Sequence, residues 1–146
     1  KIENSVKIHK KKEINFGLNR ITTYKSFAKR VLNNKNKLIQ IFKTIKLKNK
    51  KIIGYGATAK STTILNYCKI NNEYISYFLD TTKDKQNKLT PGTKILIKKY
   101  NKNNLKNVDY IFLGAWNFKK EIFKKEKKFI SSGGKFILHT PIPKII

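Results

Sequence analysis

A glycine-rich turn between two apolar runs is the feature that most constrains how this chain can fold. A short run at 51–53 leads into Gly54-Tyr55-Gly56-Ala57, a helical pattern follows, and a second apolar run at 74–79 ends at Asp80. This order predicts a strand, a tight turn, a helix and a second strand parallel to the first. The turn directs backbone N–H groups and the positive end of a helix dipole at one point, which favours an anion such as a phosphate.

The sequence after the turn predicts an α/β domain. We predict strands at 51–55, 74–79, 94–98, 109–114 and 135–139, and helices at 57–69, 101–106 and 117–130. Strands that alternate with helices indicate a Rossmann-like fold with a mostly parallel five-stranded sheet and helices on both faces.

Two segments precede this domain, which we place at 50–146. Residues 1–20 hold an alternating run at 5–9 and a basic, loop-like stretch, and we interpret them as an arm, the tail of a missing upstream domain. Residues 21–49 have apolar side chains three, four and seven positions apart, which predicts a long amphipathic helix. We expect this helix to start at Thr22-Thr23, to break or kink at Asn33-Asn34, and to pack against the sheet edge or bridge to the missing domain.

The net charge of +26 does not by itself indicate a nucleic-acid ligand. Among the 34 basic residues only Arg20 and Arg30 are arginines, whereas recognition of bases and phosphates relies on the planar guanidinium. The lysines are spread along the whole chain, and we expect them to attract anionic ligands in general. Cys68 is the single cysteine and no apolar run is long enough to cross a bilayer, so we expect a cytoplasmic protein without a membrane partner.

The glycine turn is compatible with three kinds of site. Gly54, Gly56 and Ala59 match the dinucleotide fingerprint G-x-G-x-x-G/A, and Asp80 stands where an acid would bind a ribose. The same residues approach the P-loop pattern, but Ala59 replaces the glycine that precedes the lysine, and the sequence offers no convincing Mg²⁺ ligand. The third interpretation is a Rossmann-like turn that binds nothing.

Several motifs in a fixed order point to one family. They are Gly54-Tyr55-Gly56-Ala57 through Lys60, Leu65-Asn66-Tyr67, Asp80 with Lys85-Gln86, Leu89-Thr90-Pro91-Gly92-Thr93-Lys94-Ile95, Asp109-Tyr110, Ala115-Trp116-Asn117 with Glu121-Ile122, and Gly133-Gly134-Lys135-Phe136. In this order and spacing the chain resembles the C-terminal domain of S-adenosylmethionine-dependent sugar C-methyltransferases. The helix at 24–47 also resembles the segment that precedes that domain.

The resemblance implies an enzyme of three parts: a zinc-binding N-terminal module, a central S-adenosylmethionine domain and this C-terminal domain. Such enzymes methylate a carbon next to a keto group on a nucleotide-linked deoxysugar, after a base has removed the acidic proton. Their catalytic residues, zinc ligands and methyl-donor loop belong upstream, so we expect no catalytic or metal-binding residue here and no activity from this fragment alone. The expected partners are a nucleotide-diphosphate sugar and the upstream methyl-donor domain.

The resemblance and the glycine turn together nominate the residues that would face the sugar nucleotide. They are Gly54, Tyr55, Gly56, Ala57, Lys60, Asp80, Trp116, Asn117 and Glu121. Backbone amides would hold the diphosphate or sugar hydroxyls, with Lys60 adding charge, and Trp116 would stack on a base or sugar or seal the domain boundary. Asn117 is alternatively a helix N-cap, Glu121 a cap or a ligand of a sugar hydroxyl, and Asp80 a ribose ligand or a turn residue. Ser61 departs from the glycine that the family often has after the lysine.

Two other functions remain open at this point. The chain is alternatively a non-catalytic binding module that kept the fold, or an NAD(P)-dependent enzyme. His9 and His139 are the only histidines, and neither has a recognisable acidic partner in the sequence that would make it a base.

Overall fold

The computed structural model describes residues 3–146 of the chain. It divides into two compact units, one that ends at Asn33 and one that runs from Asn34 to Ile146, and we call them the N-terminal unit and the sheet unit. The helices are α1 (Asn4–Phe16), α2 (Ile21–Leu47), α3 (Ala59–Cys68), α4 (Lys119–Lys125) and α5 (Lys127–Ser131). The strands are β1 (Ile52–Tyr55), β2 (Phe78–Asp80), β3 (Ile97–Lys99), β4 (Tyr110–Leu113), β5 (Lys135–Leu138) and β6 (Lys144–Ile145).

Residues 4–16 of the arm form helix α1, so the interpretation of the stretch after the run at 5–9 as loop-like was wrong as far as Phe16. Lysine and glutamate are good helix formers, and they make up five of the 13 residues of α1. Helix α1 ends at Phe16, and Gly17 caps it: a φ of 81° places this glycine in the left-handed region, and its amide donates to the carbonyl of Ile14.

Helix α2 confirms the amphipathic helix but not its predicted details. It begins at Ile21 rather than after Thr22-Thr23, and it continues through Asn33-Asn34 without a break. Two asparagines cost the helix only a fraction of a kcal/mol each, which the burial of its apolar side chains outweighs. Leu38, Phe42 and Ile45 are buried in the core on one face of the sheet, so the helix does not pack against the sheet edge.

The sheet confirms the Rossmann-like, mostly parallel architecture, with one strand more than predicted. Its order is β3-β2-β1-β4-β5-β6, and only β6 runs antiparallel to its neighbour. A strand of two residues such as β6 has too few side chains to show alternation in a sequence. The predicted helix at 117–130 is interrupted at Glu126, and the segment 116–118 before α4 is a 3₁₀ turn.

Alternate residues of the central strands build the two cores. Ile52 and Phe112 face the side covered by α2 and α3, whereas Ile53 and Ile111 face the side covered by α4 and α5. Strands buried on both faces are characteristic of parallel sheets covered by helices, and here they leave only their ends open to a ligand.

His139 is a buried histidine that should respond to pH. It stacks on Phe112 with ring centroids 5.3 Å apart, it is 9% exposed, and its Nε2 has no partner among the described residues. Burial lowers the pKa of His139 from 6.5 to about 4. The folded protein therefore binds this proton less readily than the unfolded chain does between these two pH values.

We expect the free energy of unfolding to fall by roughly 2–3 kcal/mol as the pH drops from 6.5 to 4, since the unfolded chain takes up a proton that folded His139 does not. Urea unfolding at a series of pH values measures this loss. His139→Gln should flatten the dependence in that window, while His9→Gln, on exposed α1, should leave it unchanged. An undiminished slope in His139→Gln would contradict the assignment.

Candidate functional site

An open crevice of about 400 Å³ lies at the carboxyl ends of β1, β2 and β4. Its lining residues are Tyr55, Gly56, Thr58, Leu79, Asp80, Thr81, Thr82, Lys85, Tyr100, Ala115, Phe118, Glu121, Ile122 and Lys125. β2 and β3 follow on one side of β1, and β4 and β5 follow on its other side. The strand order therefore reverses between β1 and β4, next to the crevice. Open α/β sheets bind their ligands at such a point.

Gly54 does not face the crevice, although the sequence nominated it as a ligand-facing residue. It lies within buried β1, and a Cβ atom on it would stand 2.3 Å from the ring of Phe78. The glycine is therefore needed so that this ring can pack against the strand. Gly56 does line the crevice, with a φ of 79° and Ala115 against the position of a Cβ atom, so both backbone conformation and space require glycine there.

Asp80 turns back onto the glycine turn instead of pointing out to a ligand. Its Oδ2 accepts a hydrogen bond from the Ala57 amide at 2.8 Å, and its Oδ1 accepts one from the Thr82 amide at 2.8 Å. Lys85 donates to the Ala57 carbonyl at 2.9 Å and lies 3.5 Å from the Asp80 carboxylate. Burial acts to raise the pKa of Asp80, but the hydrogen bonds from Thr82 and Ala57, aided by Lys85, lower it below its usual value.

The amides at the start of α3 are consequently less available than the sequence predicted. Besides the Ala57 amide, the amides of Thr58 and Ser61 are used by a capping box, in which each bonds to the other residue's side-chain oxygen. The serine that departs from the family's glycine completes this cap. Within residues 3–146, the amides of Ala59 and Lys60 have no protein acceptor and remain free for an anion.

Lys60, Trp116 and Asn117, which the sequence nominated separately, lie close together. The Lys60 ammonium lies 3.4 Å from Asn117 Oδ1 and 5.3 Å from the Trp116 ring centroid. Trp116 and Asn117 stand in the chain between two lining residues of the crevice, Ala115 and Phe118. Asn117 is not the N-cap of a helix, because it lies inside the 3₁₀ turn and makes no side-chain cap bond.

Glu121 lines the crevice from the first turn of α4, with an exposed side chain. It forms no ion pair with any residue between 3 and 146, so its carboxylate is free to accept hydrogen bonds from a ligand. Lys125 lies one helical turn further along and lines the same crevice. The side of the crevice formed by α4 therefore presents both an acceptor and a cation.

Tyr55 was nominated from the glycine turn, but its partners Tyr100 and Glu126 were missed. Both tyrosine hydroxyls donate to Oε1 of Glu126, from 2.9 Å for Tyr55 and from 2.7 Å for Tyr100. A signal for Glu126 was present in the sequence. It lies four residues after Ile122 and three before Phe129, on the stripe that α4 and α5 bury, where an acid needs a partner.

Two observations on the described residues concern the zinc ion and the S-adenosylmethionine that the resemblance implies. No group of three or more His, Cys, Asp or Glu side chains among residues 3–146 could hold a metal ion such as zinc. At the glycine turn the Asp80 carboxylate faces the amides of Ala57 and Thr82, whereas the dinucleotide fingerprint places an acid that faces a ribose there. No helix in the same residues is both long and apolar enough to span a bilayer.

Comparison with known proteins gives two matches. The family described as C-methyltransferase C-terminal domain matches residues 1–143. C-methyltransferase NovU from Streptomyces niveus is 33% identical over 123 residues, which make up 84% of this chain and 29% of that protein. The chain thus spans less than a third of the length of this curated relative.

Proposed function

Since this chain belongs to the C-methyltransferase C-terminal domain family, we propose that it holds a nucleotide-linked keto-deoxysugar for a methyltransferase that uses S-adenosylmethionine. The crevice is the observation that supports this most. It lies at the switch point of the sheet, and its size suits part of a sugar nucleotide. S-adenosylmethionine, when bound, supplies the methyl group, and we place its site on a portion of the enzyme outside this chain.

The residues around the crevice suggest how each part of the ligand is held. Ala59 and Lys60, whose amides are free, are not among the lining residues, but the Lys60 ammonium reaches Asn117, which precedes the lining residue Phe118, and this group of donors suits the diphosphate. The Trp116 ring offers a stacking surface for a base or sugar, and the Glu121 carboxylate accepts hydrogen bonds from sugar hydroxyls. The role of the chain is to bind and orient the sugar, and none of its residues is assigned a proton-transfer step.

We place the contact with the methyl-donor portion on the N-terminal unit. No residue of α1 is buried, and nine large apolar side chains of the unit are 39% to 72% exposed. They are Val6, Ile8, Ile14, Phe16, Leu18, Ile21, Tyr24, Phe27 and Leu32. A surface with so many exposed apolar side chains is typical of an interface. The match covers 29% of C-methyltransferase NovU, and the part of that protein outside the match corresponds to a portion that could cover this surface. Amide hydrogen exchange in this unit should be slower in an enzyme that contains the methyl-donor portion than in this chain alone. Equal exchange rates in the two proteins would contradict the contact.

We expect thymidine diphosphate glucose to shift the NMR amide signals of Gly56, Ala59 and Lys60 and the Trp116 indole signal in the isotope-labelled chain. Lys60→Ala should weaken binding about tenfold, because a lysine–phosphate contact is worth roughly 1–1.5 kcal/mol at a partly exposed site. Lys43→Ala, which removes an exposed charge from α2, is the matched control and should change the affinity less than twofold.

The same titration separates the alternatives. NADH should leave these signals in place, since Asp80 and the Ala57 amide satisfy one another. Saturable binding of NADH at the glycine turn would instead favour a dinucleotide enzyme. A chain that binds neither NADH nor the sugar nucleotide would favour a module that kept only the fold.

A further inference from the structure

Glu126 is a buried carboxylate without a buried cation beside it. It is 3% exposed, and it forms no ion pair with any of the residues 3–146. Its side chain enters the core at the junction between α4 and α5. A buried charge costs several kcal/mol unless hydrogen bonds compensate it, and an apolar side chain of similar volume would often be at least as stable.

The compensation comes from two tyrosines that belong to the crevice. Tyr55 ends β1, Tyr100 follows β3, and their hydroxyls both donate to the same carboxylate oxygen. Their rings meet edge to face with centroids 5.6 Å apart, and the Lys125 ammonium lies 3.5 Å from the Tyr100 centroid. Both rings and the lysine line the crevice, so one buried carboxylate fixes both tyrosines of this wall.

The number of protons on the tyrosine hydroxyls determines what the pair can recognise. A tyrosine hydroxyl has one proton, and here each proton points at Glu126. Burial, followed by the bond to Glu126, raises the pKa of Tyr100 to about 12, and the same causes raise the pKa of Tyr55 further. The hydroxyls therefore stay protonated near neutral pH, and towards a ligand they can act only as acceptors.

We propose that Glu126 is the positioning residue that makes the tyrosine pair, Tyr55 and Tyr100, selective for the hydroxyl-bearing sugar end of the ligand over its diphosphate end. The inference rests on the proposed function. Tyr100, the more exposed of the pair, accepts from a sugar hydroxyl, and Glu121 adds a second acceptor on the same side of the crevice. A phosphate, which only accepts, finds no donor on the tyrosine pair itself, and the cation that it could meet on this wall is Lys125.

The test compares the affinities of the 146-residue chain for thymidine diphosphate and for thymidine diphosphate glucose. Wild type should bind the sugar nucleotide about tenfold more tightly than the bare diphosphate. Glu126→Leu should abolish this ratio while it leaves the affinity for thymidine diphosphate within twofold. Glu126→Gln should retain part of the ratio, because the amide oxygen still accepts both bonds, and Glu73→Gln, at an exposed acid, should retain all of it.

Tyr100→Phe is a second variant for the case that Glu126→Leu does not fold, since it keeps the ring and removes only the hydroxyl. It should lower the sugar preference by the same mechanism. An unchanged ratio in folded Glu126→Leu, or in Tyr100→Phe, would overturn the inference and leave the proposed function intact. Equal affinities of the wild-type chain for thymidine diphosphate and the sugar nucleotide would also overturn the inference alone. A wild-type chain that binds neither compound would overturn the inference and the proposed function.

Discussion

Gly54→Ala is expected to lower the free energy of unfolding by about 3 kcal/mol, although it adds a single methyl group. The new Cβ atom would stand 2.3–2.5 Å from three atoms of the Phe78 ring, which is itself fully buried and packed edge to face against Phe112. Neither the ring nor buried β1 can move away without opening the core. Chemical denaturation of the purified variant measures the loss.

Gly133→Ala is the matched control for this substitution. Gly133 has a φ of 92°, but nothing lies within 4 Å of a Cβ atom placed there. Its replacement should therefore cost only the backbone strain, about 1 kcal/mol. Phe78→Leu should recover part of the loss in the Gly54→Ala background, since it removes the ring atoms that clash. Equal losses for Gly54→Ala in the presence and absence of Phe78→Leu would show that the clash is not the cause.

Asp80→Asn is expected to cost about 2–3 kcal/mol at neutral pH. The carboxylate accepts from two amides, those of Ala57 and Thr82, and an asparagine would turn an N–H group towards one of them. It would also remove the negative charge beside Lys85. The loosened turn should weaken sugar-nucleotide binding as well, because the Ala57–Asp80 bond holds the backbone that leads into α3.

The pH dependence gives the Asp80 prediction a second readout. The pKa of Asp80 lies below its usual 3.8 in the folded protein, so its contribution to stability is present above that value and is lost as the pH falls through the folded pKa. The difference between wild type and Asp80→Asn in urea unfolding should therefore shrink in strong acid. Asp84→Asn, at an exposed acid in the same loop, is the control and should match wild type throughout. A constant difference at all pH values would contradict an ionised Asp80 in this role.

The glycine turn illustrates how far a motif can be interpreted. The spacing of Gly54, Gly56 and Asp80 predicted the strand, the turn and the second strand, and all three are present, although β2 covers only Phe78–Asp80 rather than 74–79. It did not reveal that Asp80 takes the place of an external anion. An acid at this spacing can point outwards to a ribose or back to the turn, and the direction depends on Thr82 and Lys85, which pack against it only in the folded chain.

The sequence by itself determined the Rossmann-like class, the parallel strands, the long helix and the neighbourhood of the crevice, because hydrophobic periodicity and turn residues act over short stretches of chain. Only the tertiary structure decided that Gly54 serves Phe78 rather than a ligand, and that Glu126 joins Tyr55 to Tyr100. These partners are separated along the chain by 24, 71 and 26 residues, and no local pattern encodes which distant side chain will meet a given atom. Packing settles that choice, since a buried ring needs space and a buried carboxylate needs donors wherever the fold brings them.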